Sequence, residues 1–155
     1  MIPMIFFKVI PTKIGRITIT EHNGAIIALD IGIGANVDGI KGNSQLLRDA
    51  ALQLTEYLDG KRRKFDLKLA PKGTEFQMAV WAALQQIPFG TTISYKDLAA
   101  EIGRPNAWRA AGNAVGRNPI PIIIPCHRVL AADGGIGGFS LGLPLKRKLL
   151  GLESA

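Results

Sequence analysis

The sequence contains a single cysteine and only two histidines among its 155 residues. One cysteine cannot form an internal disulfide, and Cys126 with two histidines is too few for the four-ligand zinc sites built from these residue types. We therefore expect a free thiol, no metal and no cofactor. Long apolar runs are missing too, since no stretch reaches the roughly 18 residues of a membrane span and residues 1–7 lack the basic start of a signal peptide. The sequence predicts a soluble cytoplasmic monomer with no membrane association.

Acidic residues are also scarce. The 12 Asp and Glu are outnumbered by 19 Lys and Arg, which gives a net charge of +7, and residues 102–132 contain no acid at all. The same stretch contains four arginines, which are Arg104, Arg109, Arg117 and Arg128. Cations without nearby counter-charges attract polyanions. Residues 102–132 therefore predict a face that binds nucleic acid.

The first part of the chain has the pattern of a sheet followed by a helix. Residues 14–31 predict a β-hairpin, because apolar and polar residues alternate on both sides of the turn pair Asn23-Gly24. A glycine-rich loop is expected over residues 32–42. Ser44 then caps a helix that ends at Gly60. We expect these elements to form a first domain over residues 1–70.

A linker, Ala70-Pro71-Lys72-Gly73, leads to a second and mainly helical domain over residues 71–155. Thr74 and Gln77 have the spacing of a capping box, which predicts a helix through about residue 86. Two further helices are expected over residues 95–102 and 106–117, with a tight glycine turn at Gly103. Such a pair is the pattern of a helix-turn-helix.

The second helix of this pair has few long side chains. Its expected exposed residues are Ala107, Ala110, Ala111, Gly112, Asn113 and Ala114. Small side chains read base edges in the major groove poorly, but they allow a helix to lie against the minor groove, which is only about 6 Å wide. The helix therefore predicts recognition of shape and phosphate in the minor groove.

The expected chemical centre follows an isoleucine-rich run over residues 120–125, which predicts a buried extended strand ending at Cys126. A cysteine attacks as its thiolate, and because its ordinary pKa lies above neutral pH it requires a base or a positive field. His127 and Arg128 follow in sequence, although neighbours on a strand point to opposite faces. On residue type alone, a single cysteine after an apolar strand is more often an inert core residue.

The complete string is more informative. Pro125-Cys126-His127-Arg128-Val129, preceded by Asn118-Pro119 and the isoleucines, resembles the active-site signature of the O6-alkylguanine-DNA alkyltransferases. The resemblance extends over nearly all of residues 72–153 through Gly73 to Gln77, Val80-Trp81, Ile87 to Gly90, Ser94-Tyr95, Leu98-Ala99, Arg109-Ala110 and Leu149-Leu150. It implies an α+β fold: a small ribonuclease-H-like N-terminal α/β domain and a mainly helical C-terminal domain with a winged-helix-like helix-turn-helix.

The resemblance also implies an activity. Members repair DNA by direct reversal, moving the alkyl group of O6-alkylguanine, and of O4-alkylthymine, irreversibly and once per molecule to the cysteine. Cys126 would be the acceptor, with His127 acting on it through a water, Glu153 polarising His127 and Asn118 forming a hinge before the active-site segment. The implied partner is double-stranded DNA containing alkylated guanine, bound in the minor groove with the damaged base flipped out.

The implied DNA contacts lie mostly on the second helix. Arg109 would fill the place of the extruded guanine, and Tyr95 would crowd the 3′ phosphate and help to rotate the nucleotide. The remaining implied DNA contacts are Ala107, Trp108, Ala110, Gly112, Asn113 and Arg117. The implied substrate pocket is lined by Pro121, Val129, Phe139 and Ser140, in part from the glycine-rich loop over residues 134–140. Two positions depart from the family: Phe139 replaces a common tyrosine and its hydroxyl donor, and Trp108 replaces a residue that is often small.

Three other functions remain open on the sequence. A lesion sensor would flip the base without chemistry, but such relatives typically lack the cysteine. A transcriptional regulator would bind one defined sequence whether or not it is alkylated. A thiol hydrolase would turn over an ester or amide, and the basic segment over residues 102–132 does not support that function.

Overall fold

A computed structural model describes residues 4–32, 37–131 and 135–154. The chain forms two compact units, residues 1–71 and residues 72–155. No helix within the described ranges is long and apolar enough to cross a membrane.

The first unit is built on a sheet with the strand order β3-β2-β1-β4. Its strands are β1 (Ile5–Thr12), β2 (Gly15–His22), β3 (Ala25–Ile31) and β4 (Ile40–Lys41). The predicted hairpin is confirmed as β2 and β3, which pair in antiparallel fashion. Asn23 and Gly24 have φ values of 52° and 74°. Positive φ at both central residues is what the tightest hairpin turns require.

Two strands of this sheet were not expected from the sequence. The apolar N-terminal residues form β1, and β4 lies within the predicted glycine-rich loop, where it pairs in parallel with Phe6 and Phe7 of β1. Residues 33–36 of that predicted loop lie outside the described residues. A two-residue strand is fixed by its partner and not by its own sequence, which is why periodicity does not reveal it.

The helix α1 (Gln45–Leu58) packs against β1 and β2. Its N-cap is Ser44, as predicted: the hydroxyl oxygen accepts a hydrogen bond from the Leu47 backbone N–H at 3.1 Å. The same hydroxyl donates to Oε1 of the buried Glu21 on β2 at 2.6 Å. Ser44 therefore both starts the helix and ties it to the sheet.

The second unit is mainly helical. It consists of α2 (Glu75–Leu84), α3 (Tyr95–Glu101), α4 (Trp108–Gly116), α5 (Leu143–Ser154), a 3-10 turn (Cys126–Arg128) and the short parallel strands β5 (Ile93–Ser94) and β6 (Val129–Leu130). Capping boxes begin α2 and α3, and the one at α2 is the box that Thr74 and Gln77 predict. Helix α4 begins two residues later than expected, after an Ala107 N-cap whose side chain makes no capping bond.

Trp81 connects two of these helices. Its side chain on α2 is buried, and its indole N–H donates to the backbone carbonyl of Ala114 on α4 at 2.8 Å. Gly73 lies close against the indole. A β-carbon at Gly73 would come within 2.5 Å of Trp81 Cη2, so this position has no room for a side chain.

Replacing Gly73 with alanine is expected to destabilise the protein by about 1–3 kcal/mol, because the fixed indole cannot move away from the new methyl group. Urea unfolding measures the loss. Gly151→Ala is the matched control: the glycine lies within α5 with nothing within 4 Å of an added β-carbon, and alanine is the better helix former by up to about 1 kcal/mol. Equal unfolding midpoints for Gly73→Ala and the parent would contradict the close packing.

Candidate active site

The segment before Cys126 is buried, as expected, but the prediction of an extended strand is wrong. Residues 121–124 form a tight turn in which Pro121 bridges to Ile124 and the Ile123 backbone N–H donates to the Pro121 carbonyl at 2.9 Å. Ile122 has a φ of 73°, in a region that β-branched residues rarely adopt. The surrounding contacts therefore override the strong β preference of the isoleucines.

Asn118 holds this turn closed. Its Nδ2 donates to the Ile124 carbonyl at 2.8 Å, and its Oδ1 accepts from the Ile120 backbone N–H at 3.0 Å. The side chain thus replaces a backbone partner at both ends of the turn. Because the turn leads directly to Cys126, this amide helps to position the thiol.

Cys126, His127 and Arg128 form a single 3-10 turn instead of the end of a strand. All three are buried, with 4% exposure for Cys126, 0% for His127 and 6% for Arg128. Successive residues of a 3-10 helix point about 120° apart, so the three side chains leave the turn in three directions. Arg128 is consequently not part of the exposed basic face on which the sequence analysis placed it.

Glu153 on the last turn of α5 is the partner of this 3-10 turn. Its Oε2 lies 2.7 Å from Nε2 of His127, and Arg128 donates to both carboxylate oxygens, from Nε at 2.8 Å and from Nη2 at 2.9 Å. Arg128 also donates to the Ile87 carbonyl at 2.7 Å. Glu153 is 5% exposed. The structure therefore joins His127, Arg128 and Glu153 in one buried cluster, and Cys126 begins the 3-10 turn that carries the first two.

Burial sets the protonation states at this cluster. Burial raises the pKa of the Cys126 thiol, against the opposing effects of Asn118 and of the positive charge of Lys146. Burial also lowers the pKa of His127, even though Glu153 acts in the opposite direction. At neutral pH the imidazole is therefore neutral and able to accept a proton, and the cysteine is a thiol that needs a base.

Lys146 is a residue that the sequence analysis missed. Its side chain is completely buried, and its ammonium group donates to the carbonyls of Val129 at 2.7 Å and Gly138 at 3.0 Å. It also lies 5.9 Å from the ring centroid of Phe139. A buried lysine paired with carbonyls is rare, and in sequence Lys146 is indistinguishable from its neighbours Arg147 and Lys148. It connects the active-site segment to the glycine-rich loop.

Two of the predicted pocket residues, Val129 and Phe139, lie beside this lysine. Val129 and Pro121 are buried, Phe139 is half-buried and Ser140 is exposed. Gly134, at the start of the predicted pocket loop, lies outside the described residues.

Tyr95 lies between this loop and α4. Its half-buried ring would contact a β-carbon added at Gly112 on α4, at 3.5 Å, or at Gly137 in the loop, at 3.3 Å. Its hydroxyl donates a long hydrogen bond of 3.5 Å to the Gly138 carbonyl. Tyr95 therefore brings the predicted DNA helix and the predicted pocket together.

Helix α4 has one exposed face. That face is formed by Arg109, Ala110, Asn113, Gly116 and Arg117, whereas Ala107 and Gly112 are half-buried. Ala111 and Ala114 are buried in the core, which corrects the expectation that both are exposed. Each lies on the face that packs against α2 and α3. The exposed side of α4 is slim between its long side chains, because Ala110, Asn113 and Gly116 are small.

Trp108 begins α4 and is 38% exposed. The guanidinium carbon of Arg109 lies 5.0 Å from the centroid of the Trp108 ring, and the ammonium of Lys96 on α3 lies 5.7 Å from it. Both distances are within cation–π range. Trp108, one of the two residues that depart from the family pattern, thus contacts two positively charged side chains on the surface of the molecule.

Comparison with known proteins identifies the relatives of this chain. Residues 75–155 match the family model "6-O-methylguanine DNA methyltransferase, DNA binding domain", and residues 5–71 match "6-O-methylguanine DNA methyltransferase, ribonuclease-like domain". The chain is 46% identical over 153 residues to the methylated-DNA–protein-cysteine methyltransferase of Methanosarcina barkeri, covering 96% of both chains. It is 39% identical to the crystal structure of Mycobacterium tuberculosis OGT in complex with DNA, with a TM-score of 0.89 over 96% of this chain and 92% of that one. These matches confirm the resemblance and the α+β fold class, and the chain belongs to the 6-O-methylguanine DNA methyltransferase family.

Proposed function

We propose that this protein repairs DNA by direct reversal, taking the alkyl group from O6 of guanine in duplex DNA onto Cys126, once per molecule. The observation that carries the proposal is the buried cluster in which Glu153 lies 2.7 Å from Nε2 of His127, the residue next to the only cysteine. Because O4-alkylthymine presents the same kind of alkyl–oxygen bond, it is the second expected substrate. The membership of the family supports both.

The chemistry follows from the protonation states. His127, with Nε2 engaged by Glu153, accepts the thiol proton at its other ring nitrogen through a water molecule. The Cys126 thiolate then attacks the alkyl carbon, so a sulfur–carbon bond forms as the carbon–O6 bond breaks. The bonding electron pair stays with guanine, which takes up one proton. Since the thioether product has no leaving group, the reaction ends with one transfer.

DNA binding is assigned to α4 and its surroundings. A base inside the stack cannot be reached by a buried thiol, so the damaged nucleotide must rotate out of the duplex. The slim exposed face of α4 fits the minor groove, and Ala107, Trp108, Ala110, Gly112, Asn113 and Arg117 would contact the DNA there. Arg109 would enter the stack in place of the guanine.

The flipped base would enter beside the glycine-rich loop. Tyr95 would press on the phosphate next to the rotating nucleotide, and Pro121, Val129, Phe139 and Ser140 would surround the base. Phe139 would form one side of the pocket but has no hydroxyl group to donate, so release of guanine relies on other groups. Asn118 would hold the turn over residues 120–124 closed and so help to position the Cys126 thiol.

We also propose a division of labour between two domains, residues 1–70 and residues 71–155. Every residue assigned to DNA binding or transfer belongs to the second one, which supports action as a monomer. A free thiol as acceptor and DNA as substrate support a location in the cytoplasm.

Intact mass after mixing with excess duplex carrying one O6-methylguanine tests the function. We expect one mass increase of about 14 Da, the difference made by one methyl group in place of a thiol hydrogen, on the peptide that contains Cys126. Cys126→Ala is expected to bind the same duplex with no mass change. Tight lesion binding by the wild-type chain without a mass change would overturn the proposal in favour of a lesion sensor.

The role of Arg109 is tested with two substrates. Arg109→Ala is expected to slow transfer from duplex DNA on the order of 10- to 100-fold, because base rotation costs a few kcal/mol and the arginine stabilises the opened stack. Transfer from the free O6-methylguanine base should keep its rate. Arg104→Ala removes another exposed cation of the same segment and should only weaken binding. Equal slowing of Arg109→Ala on both substrates would rule out the intercalating role.

A further inference from the structure

The exposed Trp108 ring is shared by two cations, Arg109 at 5.0 Å and Lys96 at 5.7 Å from its centroid. Within the described residues, no carboxylate oxygen lies within ion-pair distance of either cation. The aromatic face is therefore the only charge-stabilising partner recorded for them in that part of the chain. Both cations are therefore available to an incoming anion.

The geometry of α4 limits what Arg109 can do while it contacts this ring. Side chains at neighbouring positions of a helix point about 100° apart and do not face each other. The guanidinium of Arg109 reaches the ring of Trp108 only by folding back along the protein surface. An arginine that enters a DNA stack must instead extend away from the helix, so the two positions exclude each other.

We propose that Trp108 is a positioning residue that keeps Arg109 folded against the protein until duplex DNA is bound. This inference rests on the proposed function, in which Arg109 replaces the extruded base. Apart from its own contact with DNA, Trp108 acts on transfer through Arg109 and touches neither the thiol nor the reacting carbon. Its effect is to make insertion of Arg109 less favourable at every DNA site, so that undamaged duplex is opened less often.

Lys96 explains how DNA releases the arginine. Two positive groups on one ring repel each other, and a cation–π contact at an exposed site is weaker than a charge-assisted bond to a phosphate. A phosphate that draws Arg109 away therefore replaces a weak contact by a stronger one and also separates Arg109 from the positive charge of Lys96. Release is thus coupled to binding of the polyanion, and the free protein keeps Arg109 folded back.

The contact between Arg109 and the Trp108 ring in the free protein can be detected by NMR. A group above an aromatic ring is shifted upfield by the ring current, so the Arg109 Nε–H resonance in an NMR spectrum of the free protein is expected upfield of the other exposed arginines. Arg109→Lys identifies the resonance by removing it. Trp108→Leu should abolish the shift, Trp108→Phe should keep part of it, and addition of duplex DNA should abolish it in the wild-type chain.

The kinetic consequence is measured by a double-mutant cycle on duplex carrying one O6-methylguanine. Trp108→Leu is expected to accelerate transfer about two- to fivefold, which corresponds to the loss of one exposed cation–π contact. The acceleration should be absent in the Arg109→Ala background, because contacting residues couple and independent ones add. Trp108→Phe should lie close to the wild-type rate, and saturating duplex keeps changes in DNA affinity out of the comparison.

Slower transfer by Trp108→Leu, an unchanged rate, or the same change with and without Arg109 would each overturn the inference. So would an Arg109 resonance that does not depend on the ring. A failure of the proposed function gives a different result. The wild-type chain would then gain no mass with alkylated duplex, while the NMR experiment would still decide whether Trp108 contacts Arg109.

Discussion

Glu153→Gln is expected to lower the free energy of unfolding by about 3–5 kcal/mol, the usual loss when one partner of a buried ion pair is removed. The glutamine keeps the size of the side chain but removes its charge. Its NH2 group would face donors of Arg128 or His127, because the carboxylate accepts from Arg128 through both oxygens. The positive charge of Arg128 would remain buried without compensation. Urea unfolding at neutral pH measures the loss, and it is a large share of the roughly 5–15 kcal/mol that stabilises an ordinary domain.

The same change is expected to slow alkyl transfer by about a hundredfold or more, because a histidine without its orienting carboxylate is a poorer base. Glu56→Gln is the matched control. Glu56 pairs with Arg62 at 3.0 Å, but the two side chains are 35% and 29% exposed, so its loss should cost about 1 kcal/mol or less. If both variants unfold at the same urea concentration, the buried network does not stabilise the protein.

Lys146→Met is expected to reduce transfer at neutral pH by on the order of tenfold, because the thiol loses a nearby positive charge that favours its thiolate. The positive charge of Lys146 lowers the pKa of Cys126 against the larger effect of burial. Without that charge the pKa of Cys126 rises further and the thiolate becomes rarer at any pH below it. The rate of the variant should therefore recover as the pH is raised, and its pH–rate profile should be displaced to higher pH. Single-turnover rates on the free base measure this without a contribution from DNA binding.

The stability of Lys146→Met separates electrostatics from packing. Burial lowers the pKa of Lys146, so its charged form is disfavoured by folding, and an apolar side chain of similar length removes that cost. Two carbonyls lose their donor in exchange, so we expect the free energy of unfolding to change by less than about 2 kcal/mol. Arg147→Met, at the exposed next position of α5, should leave transfer from the free base unchanged. A slow variant whose rate does not recover with pH would contradict the role of the charge.

Local signals in the sequence predicted the structure well. Ser44 and Thr74 each cap the helix that follows them, because a cap needs only residues within one turn of the chain. The Asn23-Gly24 turn was predictable for the same reason, because its conformation depends on the two residues that form it. For Glu153, only the family resemblance pointed to the pairing with His127 that the structure shows.

Features that depend on residues distant in the sequence could not be predicted from local signals. The isoleucines before Cys126 have a strong β preference, yet packing and Asn118 force them into a turn with Ile122 at positive φ. Lys146 is buried because the carbonyls of Val129 and Gly138 meet at its ammonium group. Neither carbonyl is recognisable in a sequence, where Lys146 belongs to a basic helix that is ordinarily solvated. Tertiary context decided both positions.

The two tryptophans give this protein a pair of separate optical probes. Trp81 is 2% exposed and hydrogen-bonded inside the helical unit, whereas Trp108 is 38% exposed beside Arg109. Indole emission moves to longer wavelength in water, so Trp81 provides the blue component, which changes only when the unit unfolds. Trp108 provides the red component, which responds to whatever approaches α4. Folding and DNA binding can therefore be followed in one unlabelled sample, at two ends of the same emission band.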